Sequence, residues 1–275
     1  MRLTLLALMA ALAVHSAEVP KSVRLYVLDC GKLTIEDPTR FDFKKSELKL
    51  LDLSMGCYLI VHPKGTLFWD TGAVPDSFFK PGVTNPTFTY ATVTKSITSQ
   101  LAAVGYKPSD IQYLALSHYH WDHIGNANLF AGATWLARKV ERDMMLAGKS
   151  DSRYPEEYSA LKTAKFKLVD NASGEYDVFG DGTVVLKSTP GHTEGHQVLA
   201  LRLAKTGNVV LSGDIYHYPE EVTTGRVPTI DVNKQQTIQS RKELDAYLKK
   251  NKAQLWIQHD LAAFEKLKKA PQYYE

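Results

Sequence analysis

Between residues 118 and 123 the chain reads His-Tyr-His-Trp-Asp-His, three histidines and an aspartate within six positions. The apolar run before it, IQYLALS at 111–117, has the length and composition of a buried strand and leads straight into the cluster. Side chains two apart on an extended chain point the same way, so His118 and His120 can reach one ion together while Tyr119 turns away. Asp122 and His123 follow at a turn, from which they can address a second position nearby. Imidazole plus carboxylate without thiolate suits zinc, and also iron, cobalt or manganese. Taken alone, the cluster also admits a structure-only reading as a polar loop.

Three later strand ends offer the same residue types. STPGHTEGHQ (188–197) puts His192 at a glycine-flanked turn directly after a strand, where its ring can face a cavity. VVLSGDIYHYP (209–219) ends a buried run on Asp214, and LWIQHD (255–260) ends on His259. One polar residue at a strand tip is ordinary, but together these ends describe a shared rim. His62, just before Pro63 at a hairpin turn, reads as structural. No serine or cysteine sits in a nucleophile-elbow context.

The elements that must position these residues alternate between short apolar runs and helix-like stretches. Strands are expected at 23–29, 56–62 and 65–70, the last two forming a hairpin through Pro63-Lys64-Gly65. Helical spacing occurs at 94–104, a strand at 133–137 and a charged helix at 138–146. Further strands are expected at 166–169, 176–179, 183–188, 196–203 and 208–213. A helix near 234–250, capped by Asp231 or Asn233, leads to a last strand QLWIQ and a short helix. The pattern is α/β with its strands in two groups, one layered domain over 18–275. Aromatic loops at 74–90 and 151–158 read as surface cover or as an apolar substrate wall, with Phe78, Phe79, Phe88 and Tyr90 as wall candidates.

With 275 residues, 44% of them hydrophobic, the chain can bury a substantial core. Thirty-three basic against 30 acidic side chains leave a net charge of +3 and no dense basic run, which argues against nucleic acid and for a small-molecule partner. Residues 1–17 read as a secretory signal: Arg2, an apolar run from Leu3 to Val14, then small residues at Ser16 and Ala17. That reading places the mature chain in the periplasm or outside the cell, soluble and without stable membrane insertion. The alternative is a buried N-terminal helix. Cys30 and Cys57 sit in strand-like runs where buried free thiols are expected, a bridge being the alternative in an exported protein.

The ordered set His118-x-His120-x-Asp122-His123, Thr189 to Gly195 (T-P-G-H-T-x-G), Ser212 to Asp214 (S-G-D) and a late histidine resembles the metallo-β-lactamase-fold superfamily. LFWDTG upstream matches as well, and the resemblance runs over essentially the whole mature chain. Within the superfamily the chain is most similar to the N-acyl homoserine lactone lactonases, in MGCYLIVHPKGTLFWDTG and HYHWDHIGNANLF above all. The resemblance implies an αββα four-layer sandwich with two divalent metal ions, zinc foremost, at one edge of the sheets. It assigns His118, His120 and His192 to the first ion, Asp122, His123 and His259 to the second, and Asp214 to both. Asp70 would orient a ligand histidine by a hydrogen bond.

The implied activity is quorum-quenching lactonase chemistry: a metal-bound hydroxide opens the lactone ring of an N-acyl homoserine lactone, and Asp122 orients the nucleophile and shuttles its proton. Alternatives on the same site are a β-lactamase or another ester or phosphodiester hydrolase. Asp214 is unlike the β-lactamases of the fold, which place cysteine or serine there. His120 is unlike the diiron flavoproteins, which carry glutamate. The better-known lactonases have a tyrosine three residues after the bridging aspartate to hydrogen-bond the substrate. Here that position is His217, which could donate the same bond, or Tyr216 or Tyr218 could swing in. Oligomeric state stays open, a dimer included.

Overall fold

The structure, a computed structural model, describes residues 19–148 and 155–275. The expected secretory segment at 1–17 lies outside the described residues, as does the first part of the 151–158 loop.

Eight strands form one sheet: β1 (Arg24–Leu33), β2 (Leu53–His62), β3 (Gly65–Trp69), β4 (Thr87–Phe88), β5 (Ala91–Thr92), β6 (Tyr113–Ala115), β7 (Thr134–Ala137) and β8 (Phe166–Leu168). Their spatial order is β4-β5-β1-β2-β3-β6-β7-β8. The second sheet orders β13 (Gln254–Trp256), β12 (Gly207–Leu211), β11 (Gln197–Leu203), β10 (Val184–Ser188) and β9 (Glu175–Asp177). The helices are α1 (Ile97–Ala103), α2 (Trp121–Ile124), α3 (Lys139–Leu146), α4 (Pro219–Thr224), α5 (Lys234–Asn251) and α6 (Leu261–Lys266). Most were legible as elements. The two-residue β4 and β5 and the short α4 were not, because none is long enough to show a period.

Strand alternation sorts the apolar side chains into layers. Leu25 and Val27 of β1 and Tyr58 and Ile60 of β2 meet Val184, Leu186, Leu199 and Leu211 of the second sheet in the core between the sheets. Tyr26, Leu28, Leu59 and Val61 point the other way, where Ile97 and Leu101 of α1 and Met145 of α3 cover them. On the far face of the second sheet, Val198, Ala200 and Val210 pack under Leu244, Tyr247 and Leu248 of α5. Helix, sheet, sheet and helix stack as the expected αββα sandwich. Each such side chain removed from water contributes about 1.5–3 kcal/mol, so the layering is strongly driven. Asn233, rather than Asp231, caps α5, accepting from the backbone N–H of Gln236.

The two cysteines are not free thiols. Cys30 and Cys57 are disulfide-bonded with their Cα atoms 5.8 Å apart. Cys57 pairs across the ladder with Leu28, and the register shifts between Asp29 and Lys32, which sets Cys30 diagonal to Cys57 on the same face. Residue types alone do not reveal which strands are neighbours, so the bridge was not legible. The 27-residue separation implies a stabilisation of about 3–4 kcal/mol from loop closure in the unfolded chain. Denatured protein should therefore show no titratable thiol until reductant is added. The Cys30→Ala, Cys57→Ala double variant should lose about 3 kcal/mol in urea unfolding, and thiols titrating without reductant would contradict the bridge.

Candidate metal centre

In the second sheet β10 and β12 run parallel to each other, each antiparallel to β11, and β13 is parallel to β12. Their carboxyl ends therefore leave on one edge, carrying His192, Asp214 and His259. In the first sheet β6 delivers Ser117 and His118 to the same edge, where hydrogen bonds stitch the sheets together. Gln197 donates its backbone N–H to Ser117 O (3.0 Å) and its side-chain N–H to Leu116 O (2.9 Å), while Ser54 N–H donates to His259 O (3.2 Å). His120 sits at the N-cap of the one-turn helix α2, whose residues include Asp122 and His123. Gly213 takes φ +49°, and a Cβ there would lie 2.6 Å from His196 Nε2. That nitrogen accepts the backbone N–H of Asp214 at 2.9 Å, so only glycine lets the chain turn there and present the carboxylate.

The side chains converge as two sets that share one member: His118, His120, His192 and Asp214, then Asp122, His123, His259 and Asp214. Asp214 Oδ2 lies 3.6 Å from His118 Nε2 and 3.4 Å from His192 Nε2. Its Oδ1 lies 3.0 Å from His123 Nε2 and 3.1 Å from His259 Nε2. Asp122 Oδ2 completes the second set at 3.7 Å from His123 and 3.6 Å from His259. A tetrahedral ion with ligands at 2.0–2.1 Å spaces those ligands about 3.3 Å apart. Among buried atoms without a hydrogen-bond partner are His123 Nε2, His259 Nε2 and Asp214 Oδ1, all on the second set. Buried polar atoms in proteins are generally paired, and three unpaired donor atoms converging on one point fit a cation.

The ligand rings are held from behind. His123 Nδ1 meets Asp70 Oδ2 at 2.9 Å, and Asp70 also accepts from the Ser117 backbone N–H (2.7 Å) and from Gln258 Nε2 (2.9 Å). Asp70 has φ +53°, a left-handed backbone that aspartate tolerates better than most residues. His192 Nδ1 meets Asp231 Oδ1 at 2.9 Å, and Thr237 Oγ1 donates to the other oxygen of Asp231 at 2.6 Å. His259 Nδ1 faces Ser54 O at 2.7 Å. A proton held at each Nδ1 leaves the Nε2 lone pair directed inward. Asp231, Gln258 and Ser54 were missed in this role. For Gln258 adjacency to His259 was a signal; Ser54 offered none.

Burial governs the charge states. It pushes His120, His192 and His196 down to about 3 and His118 well below its ordinary value, so these rings are neutral and can donate lone pairs. Burial opposes charge on His123 too, but Asp214, Asp70 and Asp122 outweigh it and hold its pKa well above the ordinary value. For His217, Asp214 and Glu221 likewise outweigh burial, pushing it up to about 10.

A cavity of about 340 Å³ opens onto the centre. His120, Asp122, His192, Asp214, His217 and His259 form its floor. Its apolar walls come from Leu33, Ile35, Phe41, Leu53, Trp121 and Ile230, with Arg40 and Glu36 among its polar lining. Only Tyr90 of the four aromatic wall candidates lines it. Phe78 and Phe79 pack against the helix-covered core, and Phe78 stacks edge-on with Phe88 at 5.3 Å beside a separate cavity. The wall is instead the segment leaving β1, whose apolar residues look like core in sequence.

Of the three residues around position 217, the structure brings only His217 to the cavity. Its Nε2 is 3.2 Å from Asp214 Oδ2, and its ring stacks on that of His259 with centroids 5.6 Å apart. Tyr216 faces α5 instead, under the Arg241 guanidinium at 4.2 Å. Tyr218 donates to Leu51 O at 2.6 Å and packs edge-on behind Phe41. Tyr119 points away from the ligands, its hydroxyl donating to Glu194 at 3.1 Å. His62 is structural: it stacks on Phe179 and its Nε2 bonds Asp181 at 2.9 Å.

A model of the Metallo-beta-lactamase superfamily matches residues 56–251, and the chain belongs to that superfamily. Among its relatives, an N-acyl homoserine lactonase of Bacillus sp is 29% identical over 256 residues, spanning 91% of this chain and 98% of that one. An N-acyl homoserine lactonase of Agrobacterium fabrum is 28% identical over 268 residues, spanning 92% and 98%. A solved N-acyl homoserine lactone hydrolase, with the product N-hexanoyl-L-homoserine bound at its catalytic metal centre, superposes with a TM-score of 0.73. It is 28% identical, over 92% of this chain and 99% of that structure.

Two outcomes check the centre. Asp214→Ala removes the carboxylate common to both sets and should cost both metal content and activity, and full metal occupancy in that variant would contradict a bridging role. In chelated protein, His120, His192 and His196 titrate near 3 when folded against 6.5 as free groups. Below 6.5 the unfolded chain therefore binds more protons, so stability should fall as pH drops from 6.5 toward 3. The raised His123 and His217 are protonated in both states there, and Glu141 and Glu157, raised to about 7 and about 8, oppose the trend with two groups against three. Urea unfolding of the chelated protein between about pH 6.5 and about pH 5 reads this directly, and a flat profile would refute it.

Proposed function

We propose that this chain is a dinuclear metal-dependent hydrolase that opens the lactone ring of N-acyl homoserine lactones. The observation that carries the reading is Asp214, whose two oxygens face two adjoining ligand sets at the floor of an apolar-walled cavity. The relatives named as lactonases supply the substrate class. Imidazole and carboxylate donors without thiolate favour zinc, with iron, cobalt or manganese fitting the same set. His118, His120 and His192 would hold one ion, Asp122, His123 and His259 the other, and Asp214 both. When bound, such a pair polarises a carbonyl and lowers the pKa of a shared water.

The chain's own groups do the rest. Asp122 lies at the cavity floor, where it orients the attacking water, accepts its proton and passes it to the ring oxygen as the ring C–O bond breaks. Water is consumed, and the product is an N-acyl homoserine with a free carboxylate and alcohol. His217, in the position where better-known lactonases carry tyrosine, donates a hydrogen bond to the substrate carbonyl. Leu33, Ile35, Phe41 and Ile230 give the acyl chain a dry wall.

Export to the periplasm or the exterior is part of the proposal. The signal-like first 17 residues support it, and the Cys30–Cys57 bridge suits an oxidising compartment. No helix among the described residues is long and apolar enough to cross a membrane.

Metal-loaded protein incubated with acyl homoserine lactones of several chain lengths and with a β-lactam panel should add one water to the lactones alone, read by mass spectrometry. Turnover only of β-lactams, or oxygen consumption, would sink the proposal. His217→Ala should lower kcat/KM for lactones by about tenfold, the loss of one hydrogen bond worth roughly 1.4 kcal/mol, with metal content retained.

A further inference from the structure

Glu141 of α3 is buried, with only 5% of its surface exposed, and no part of the reaction above uses it. Its Oε1 accepts from Thr193 Oγ1 at 2.6 Å and from the Gly195 backbone N–H at 2.7 Å. Its other oxygen, Oε2, is buried with no hydrogen-bond partner. Thr193 follows His192 directly, and Tyr119 separates His118 from His120. One buried carboxylate thus grips the loop bearing His192 on both sides of Glu194, and Glu194 accepts from the Tyr119 hydroxyl at 3.1 Å, which ties that loop to the one bearing His118 and His120.

We propose that Glu141 is a positioning residue that clamps the loop bearing His192 and, through Glu194 and Tyr119, the loop bearing His118 and His120 into one metal site. The inference rests on the dinuclear reading above and names what holds its three-histidine half.

Several features fit no simpler packing role. A buried carboxylate is costly unless hydrogen-bond donors surround it, and burial, opposed by the hydrogen bonds from Thr193 and Gly195, raises this one to about 7. A leucine would fill similar volume without that cost, but it would leave the Thr193 hydroxyl and the Gly195 N–H unpaired. The last glycine of T-P-G-H-T-x-G is explained by the same contact: a Cβ at Gly195 would lie 2.7 Å from both Glu141 Cγ and Val140 Cγ1. The centre thereby has one buried carboxylate behind each half. Asp70 bonds the His123 ring itself, and Glu141 bonds the chain that follows His192.

Cobalt(II) titration of metal-free protein, followed by ligand-field absorption and by bound-metal stoichiometry, tests this without an activity assay. Wild type should bind two ions. Glu141→Ala, folded by circular dichroism, should bind its first-set ion at least about tenfold more weakly, the scale of losing an outer partner of a ligand. Its spectrum should approach that of His192→Ala. Glu141→Gln keeps an oxygen for Thr193 and Gly195 and should restore affinity to within about threefold. Two ions bound by Glu141→Ala with wild-type affinity and spectrum would overturn the inference while leaving the dinuclear reading intact. No uptake by wild type would overturn both. If Glu141→Ala does not fold, Thr193→Val decides: a several-fold weakening of the first-set ion supports the clamp, and wild-type affinity refutes it.

Discussion

The arrangement depends on a single carboxylate that faces two ways. Asp214 is buried, with His123 and His259 against one oxygen and His118, His192 and His217 against the other, and its negative charge is what makes the assembly of so many imidazoles at one point tenable. Those rings are mostly neutral because burial strips them of protons, so their lone pairs crowd together. Lone pairs meeting at these distances repel one another unless positive charge lies among them. The edge of the sandwich is therefore a place that a cation would stabilise, and the layers around it supply the rigidity.

That rigidity has an identifiable source. Each ligand element leaves a strand whose other residues are locked in the inter-sheet core, and Trp69 links the two regions by donating to Gln258 at 2.8 Å. Gln258 in turn touches Asp70, Gly213 and Ser212, binding the turn behind His123 to the turn that presents Asp214. Stability of the core and geometry of the centre are consequently one problem. Loops could not hold seven side chains to tenths of an ångström without those strands beneath them.

Much of this was legible from local pattern. The strand ending at His118, the turn at His192, the strand tip at Asp214 and the final strand before His259 were readable because strand length and alternation are local properties. The helix-covered faces were readable for the same reason. What failed to show was anything set by pairing across the fold. The disulfide needed the β1–β2 register and its irregularity. The cavity wall needed residues 33–41 to fold over the sheet edge, while the aromatic loop that looked like a wall spends Phe78 and Phe79 on the core.

Residue type and order by themselves determined the donor chemistry, imidazole and carboxylate without thiolate, and the strand ends that carry it. Tertiary structure alone decided the distances, and with them which oxygen of Asp214 serves which set. It also decided that Asp231 caps nothing and holds His192 from 39 residues away, and that Tyr216 turns from the cavity while His217 enters it. The physical reason is range. Backbone periodicity is written in neighbouring residues, whereas a hydrogen bond between distant segments exists only once the two sheets have closed on each other.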